Sequence, residues 1–291
     1  MTKIKLTKFL VSIFFFLQCC TFSSFSEEST SKVESQEIKV TNEFQTSQSP
    51  SGEKQNNKKE NERSELDKKL FQAIKQGEVE LVQELLLKGA SAKAKLNIEE
   101  TIHTPLTYAL SCEIIDICGK TDEIARIKSI VKLLIEFGAD VNSKTQPFGD
   151  SPLRLASVRE EVGFEEIVEM LIKAGADVNE EKDGQTVLFG ALNPKTIKTL
   201  IRNGLSPNHR DKEGRTALHY LLEMMPREIS DNEHIETQFA EAVKALAQGG
   251  ANVNLKIKND PLSLPLCIAQ LKDAEKIVEV LRKLGAKGDC E

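Results

Sequence analysis

The chain has 291 residues, 40 % of them hydrophobic, enough for one or two domains with a sizeable core. Its net charge is −6, so it lacks the basic footprint of a nucleic-acid binder or of a protein held to anionic lipid by charge. Aromatic residues make up 5 % and Trp is missing, which leaves a core of Leu, Ile, Val and Ala suited to stacked helices.

Lys3, Lys5 and Lys8 precede a mostly apolar stretch, Phe9 to Leu17. It is too short for a membrane-spanning helix, which needs about 20 apolar residues. A basic start followed by a short apolar run predicts an export signal over residues 1–26. Three fates compete. Ser24 and Ser26 supply small residues for cleavage after Ser26. Leu17-Gln18-Cys19-Cys20 resembles a loose bacterial lipobox, with lipid added at Cys19 or Cys20. The third fate is an uncleaved anchor running to about Phe25. All three place the rest of the chain outside the cytoplasm: in the periplasm, anchored at the outer membrane, or secreted. Membrane attachment would then go through the lipid or the retained signal. Residues 27–63 are polar, without hydrophobic period, and predict a disordered linker.

The folded region is expected over 64–291. Ser64 and Asp67 have the spacing of a helix-capping box. Leu66, Leu70, Ala73 and Ile74 then form one helical stripe, and Leu81, Val82, Leu85 and Leu86 a second. Gly89-Ala90 stops it. The same stop returns as Gly138-Ala139-Asp140-Val141-Asn142, Gly175-Ala176-Asp177-Val178-Asn179 and Gly250-Ala251-Asn252-Val253-Asn254. Weaker copies lie at Gly204 and Gly285. Aligned on these glycines, a Leu recurs at one offset: Leu85, Leu134, Leu171, Leu200, Leu246 and Leu281. The next position reads Leu86, Ile135, Ile172, Ile201, Ala247 and finally Arg282, a polar substitution suited to an outer terminal face.

First helices carry their own signature. Thr104-Pro105-Leu106, Ser151-Pro152-Leu153, Thr186-Val187-Leu188, Thr216-Ala217-Leu218-His219 and Leu264-Pro265-Leu266-Cys267 occupy equivalent places. A hydroxyl cap followed by Pro at the first helical position favours a helix start. Gly149, Gly184 and Gly214 precede three of them and allow the positive φ of a hairpin tip.

A turn with Gly, then T-P-L-H, a second helix and G-A-D-V-N resembles the ankyrin repeat. The resemblance covers about residues 64–287 in about six copies and implies an all-α solenoid of helix-turn-helix units with hairpin loops. Spacings between stops are 49, 37, 29, 46 and 35 residues against a family period of about 33. Copies two and five therefore carry insertions, near Cys112 to Glu123 and Glu223 to Glu236, and copy four is short.

The resemblance implies a protein partner bound across the hairpin tips and the groove of first helices. The tip residues are Lys144, Gln146, Lys182, Asp183, Arg210, Lys212, Glu213, Lys256 and Lys258. His219 falls at the T-P-L-H position and is expected to hydrogen-bond hairpin groups. His209 and His234 are expected on the solvated surface. No nucleophile elbow, phosphate loop or metal motif is present, so catalytic residues, metal and cofactor are all expected to be none. No cysteines show C-x-x-C spacing. A loop disulfide between Cys112 and Cys118, or a bridge between Cys267 and Cys290, competes with free thiols and a core place for Cys267. The function expected is a non-catalytic binding scaffold. The rivals are a secreted effector acting on a host protein and a thiol-based redox or enzymatic role for Cys112 and Cys118.

Overall fold

The computed structural model describes residues 53–111, 121–226, 233–257 and 260–288. The chain forms α1 (Glu53–Gln76), α2 (Val79–Leu87), β1 (Leu96–Ile98), β2 (Thr101–His103), α3 (Pro105–Leu110) and α4 (Thr121–Glu136). Then come α5 (Pro152–Ser157), α6 (Phe164–Lys173), β3 (Glu181–Lys182), β4 (Gln185–Thr186) and α7 (Pro194–Arg202). The last are α8 (Ala217–Met224), α9 (Glu233–Gln248), a 3-10 turn at Pro261–Ser263, α10 (Pro265–Gln270) and α11 (Glu275–Lys283). The strands form two antiparallel hairpins, β1 with β2 and β3 with β4.

The helices stack in two rows. Helices α2, α4, α6, α7, α9 and α11 each pack on the next. In the second row α1 packs on α3, α3 on α5, and α8 on α10. The result is an all-α solenoid with short hairpin loops. Between the rows lies a dry core. Val82, Val131, Val168, Ile197 and Val243 are fully buried, as are Leu134, Leu171, Leu200 and Leu281.

Local chemistry sets the helix ends. Ser151 Oγ accepts the Arg154 N–H at 3.1 Å, and Thr104 Oγ1 accepts that of Thr107 at 3.3 Å. Pro105, Pro152, Pro194 and Pro265 occupy first helical positions. At the stops, Gly138 and Gly175 sit at φ 81° and 95°, where only Gly is unstrained. The next N–H turns back to the Leu fixed by the alignment: Ala139 to Leu134 O at 2.9 Å and Ala176 to Leu171 O at 3.0 Å.

Two sequence expectations change. Thr186 does not start a helix: it belongs to β4, and residues 187–190 are turns. Gly190 at φ 87° and Pro194 leave too little chain for a helix before α7. Val187, Leu188 and Phe189 still fill the core there. Ser64 does not cap a helix either, because α1 already begins at Glu53. Asp67 instead accepts the Ser91 N–H at 2.6 Å.

The stack ends are treated differently from its middle. The position of Leu81 is buried in later units as Ile130, Ile167 and Ile277, but Leu81 has no unit before it among the described residues and is 36 % exposed. Exposed Glu78 and Glu84 flank it. At the other end Arg282 is exposed as the alignment expects. Among the described residues no helix is long and apolar enough to cross a membrane. The expected signal and lipidation sites Cys19 and Cys20 lie outside the described residues, as do Cys112, Cys118, Cys290 and Lys258.

Candidate protein-binding surface

The hairpins stand on a hydrogen-bonded base. Asn142 donates from Nδ2 to Gly175 O at 3.1 Å and accepts the Asp177 N–H at 2.9 Å. Asn208 does the same to Gly250 and Asn252, and Asn254 to Gly285 and Lys287. Each amide thus fastens one helix stop to the next. Asp67 supplies the accepting half for Ser91, where no earlier unit lies among the described residues. Among the described residues no such bond joins Asn179 to Gly204 or Ser206.

A second layer of polar contacts lies above this base. His219 Nδ1 accepts the Thr216 N–H at 3.2 Å, which places the ring proton on Nε2; that nitrogen donates to Leu255 O at 3.0 Å. Burial holds the imidazole below its ordinary pKa, so the neutral ring is favoured. This is the hairpin role expected for His219. Arg154, also buried, donates to Gln185 O at 2.8 Å and Thr186 O at 3.3 Å. Burial pushes Arg154 down while Glu180 pulls it back up. Burial also raises Asp211, but bonds from Arg215 outweigh it and hold the carboxyl below its usual value. Arg215 in turn reaches Glu223 at 3.1 Å and lies over the Tyr220 ring at 5.5 Å.

The tips are more interlocked than their sequence indicates. The Gln146 backbone exchanges bonds with Ile102, at 2.8 and 3.2 Å. Lys182 Nζ pairs with Asp150 at 2.6 Å, and Lys212 Nζ lies 3.4 Å from Asp183. Arg210 Nη1 donates to Lys256 O at 3.0 Å, and Lys144 Nζ lies 3.9 Å from Glu180. Glu213 lies 3.3 Å from Arg215. Apart from the Glu213–Arg215 pair, which lies within one hairpin, these bridges join neighbouring tips, so the charged row is a braced surface. Asp183, Lys212, Glu213 and Lys256 stay exposed.

His209 departs from the solvated state expected of it. Its Nε2 donates to Gly184 O at 3.0 Å, and its ring stands edge-on to Phe189 at 6.4 Å. Phe148 was missed by the sequence reading. It is 60 % exposed on the same hairpin as Gln146, and an aromatic residue between the turn signals Pro147 and Gly149 is the clue that pointed to it. Among the described residues no His, Cys, Asp and Glu side chains gather to hold a metal ion. Cys267 is buried, as expected of a core position, and is disulfide-bonded.

Residues 123–211 match the family described as ankyrin repeats in three copies. A search of curated proteins finds no match. Among solved structures, the chain is similar to an ankyrin repeat domain from Acinetobacter baumannii AYE, at 27 % identity and TM-score 0.54. That likeness covers 75 % of this chain and 98 % of the other. A second likeness, to the ankyrin repeat protein EF0377, has 22 % identity and TM-score 0.53, over 74 % of this chain and 96 % of that one, and speaks for the fold alone. The fold is that of non-catalytic scaffolds, and it implies a protein partner. The repeated stop, the braced hairpins and the matched segment together show ankyrin repeats over residues 123–211 and an ankyrin-like fold around them.

Proposed function

We propose that the protein is a binding scaffold working outside the cytoplasm, with the repeat running in six copies from α1 to α11. The observation that carries this reading is the braced tip row. Asp183, Lys212, Glu213 and Lys256 project from hairpins already fixed to one another and to the helix stops. A partner meeting such a preformed surface loses little free energy to ordering it. The mixed charges favour a polar protein surface as ligand, and Phe148 supplies an aromatic anchor of the kind that dominates interfaces.

The location rests on the apolar stretch after Lys8. The disulfide at Cys267 supports it, because such bonds persist mainly in oxidising compartments. Mass spectrometry of the mature amino terminus distinguishes its fates: a lipid-bearing Cys19 or Cys20, a free Glu27, or an intact Met1. Cell fractionation separates envelope from secreted material, and chain found only in the cytoplasm would defeat the location. Affinity capture with the wild type, set beside a Phe148→Ala/Lys212→Glu/Lys256→Glu variant, tests the surface. Loss of a captured protein with unchanged melting supports it; identical capture by both removes it.

A further inference from the structure

We propose that the outer edge of β1 takes an extended segment of the protein partner as an added antiparallel strand, a proposal that rests on the reading of the chain as a binding scaffold. In the first hairpin Leu96 lies opposite His103, Asn97 opposite Ile102 and Ile98 opposite Thr101. On its far side Ile102 pairs with Gln146. The Ile102 N–H donates to Gln146 O at 2.8 Å, and the Ile102 carbonyl accepts the Gln146 N–H at 3.2 Å. In an antiparallel ladder a residue that gives both main-chain groups to one neighbour gives neither to the other. Asn97 and Ile102 are therefore a pair without mutual hydrogen bonds, and the Asn97 N–H and C=O point away from β2. Among the described residues no strand pairs with that edge.

The hairpin has one packed face and one open face. Leu96 and Ile98 pack against the core, and Thr101 and His103 are buried. Residues directly opposite each other share a face. Asn97, Ile102 and Gln146 thus lie together on the other side, where Asn97 and Gln146 are exposed and Ile102 is half-buried. Gln146 already shows what this sheet accepts: one extended residue, held at the edge of β2 by two main-chain bonds. Asn97 offers the same donor and acceptor at the edge of β1. Strand addition of this kind draws affinity from main-chain bonds and specificity from alternate side chains.

Charge sets the direction and chemistry of the added strand. Lys93 and Lys95 lead into β1, Glu99 and Glu100 follow it, and all four side chains are exposed and outside any ion pair among the described residues. Lysines on an edge deter an uncharged strand. An antiparallel segment that is basic beside Glu99 and Glu100 and acidic beside Lys95 and Lys93 meets opposite charge at both ends. The residues flanking the one opposite Asn97 fall on the packed side, next to Leu96 and Ile98, and are apolar. A second copy of this chain carries the same order of charges, but its β1 would bring another α1–α2 pair to the same side of the joined sheet. Strands about 4.8 Å apart leave no room there for helices about 10 Å across. A bare extended segment has no such body.

The probe is the end-capped peptide Lys-Lys-Val-Thr-Val-Glu-Thr-Glu, whose first threonine lies opposite Asn97. Fluorescence polarisation reads its binding to the full chain, beside a copy N-methylated at that threonine and a copy of reversed sequence. The N-methylated peptide cannot donate to Asn97 O and should bind about tenfold more weakly, the loss of one hydrogen bond. The reversed peptide should also bind more weakly. Asn97→Pro removes the outward N–H without touching the β1–β2 ladder, so it should melt with the wild type and bind the parent peptide about tenfold more weakly. Equal binding of the three peptides to the wild type, or no binding of the parent at roughly 1 mM, overturns the assignment. So does a chain dimer, seen by sedimentation, that Asn97→Pro dissolves, because it seats a second copy on the edge. A partner captured equally by the wild type and Asn97→Pro, but lost with Phe148→Ala/Lys212→Glu/Lys256→Glu, overturns the edge and leaves the scaffold reading standing.

Discussion

Asn142 grips Gly175 and Asp177 with both ends of its amide, and Asn179, at the same place one unit later, makes no such bond to Gly204. Two residues of one type at one repeat position therefore carry different loads. Replacing Asn142 by Ala removes two hydrogen bonds and should cost about 1–2 kcal/mol. Replacing Asn179 by Ala should cost a few tenths at most. Urea unfolding of the two variants measures the contrast, and equal losses would show that the ladder is not what holds the stops.

His219 gives stability a pH dependence of definite sign. Burial lowers its pKa below the ordinary 6.5, so the unfolded chain takes up a proton more readily than the folded one. Its contribution is complete above about pH 6.5 and declines as pH falls toward the folded value. Protonation of Nδ1 also removes the acceptor used by Thr216. Unfolding free energy measured at pH 7.5 and pH 5 should fall more for the wild type than for His219→Gln. Parallel falls would assign the effect to other groups.

Asp211 anchors the network above the hairpins. It accepts the Arg215 N–H and Nε, both at 2.8 Å, with its side chain out of solvent. Asp211→Asn keeps the shape but loses the charge, and should cost on the order of 1–3 kcal/mol. Because the folded carboxyl is held below its ordinary 3.8, its stabilisation is present above that value and is lost as pH falls through the folded one. The variant should lose that acid-sensitive part. A wild-type acid titration curve unchanged by the substitution would refute the assignment.

Leu81 and Ile167 share one alignment position but not one environment. Ile167→Ala should cost about 2–4 kcal/mol, as expected for a buried aliphatic residue. Leu81→Ala, at the open amino end, should cost well under half as much. Thermal or urea unfolding decides it, and similar losses would mean that Leu81 is covered in solution.

Much of this was legible in the chain. The glycine stops, the Leu one turn before each, the Pro at helix starts and the exposed Arg282 follow from residue type and period alone. What was not legible depends on neighbours. Thr186-Val187-Leu188 looks like a helix start, yet the short spacing to Pro194 leaves room only for turns. Ser64 and Asp67 look like a cap, yet Asp67 is occupied by Ser91, 24 residues on. The tip charges could be named but not their pairing, because Lys182 meets Asp150 and Lys212 meets Asp183 only once units stack. His209 looked like a surface residue because Phe189, which covers one edge of it, comes from another turn.

The seam at Asn179 is still tied on two other sides. Arg154 holds Gln185 and Thr186 beside the hairpins, and Asn193 Nδ2 reaches Glu160 O at 3.3 Å across the opposite turn. With the amide fastening missing there, the polar ties of that junction include Arg154 and Asn193 rather than the helix stops.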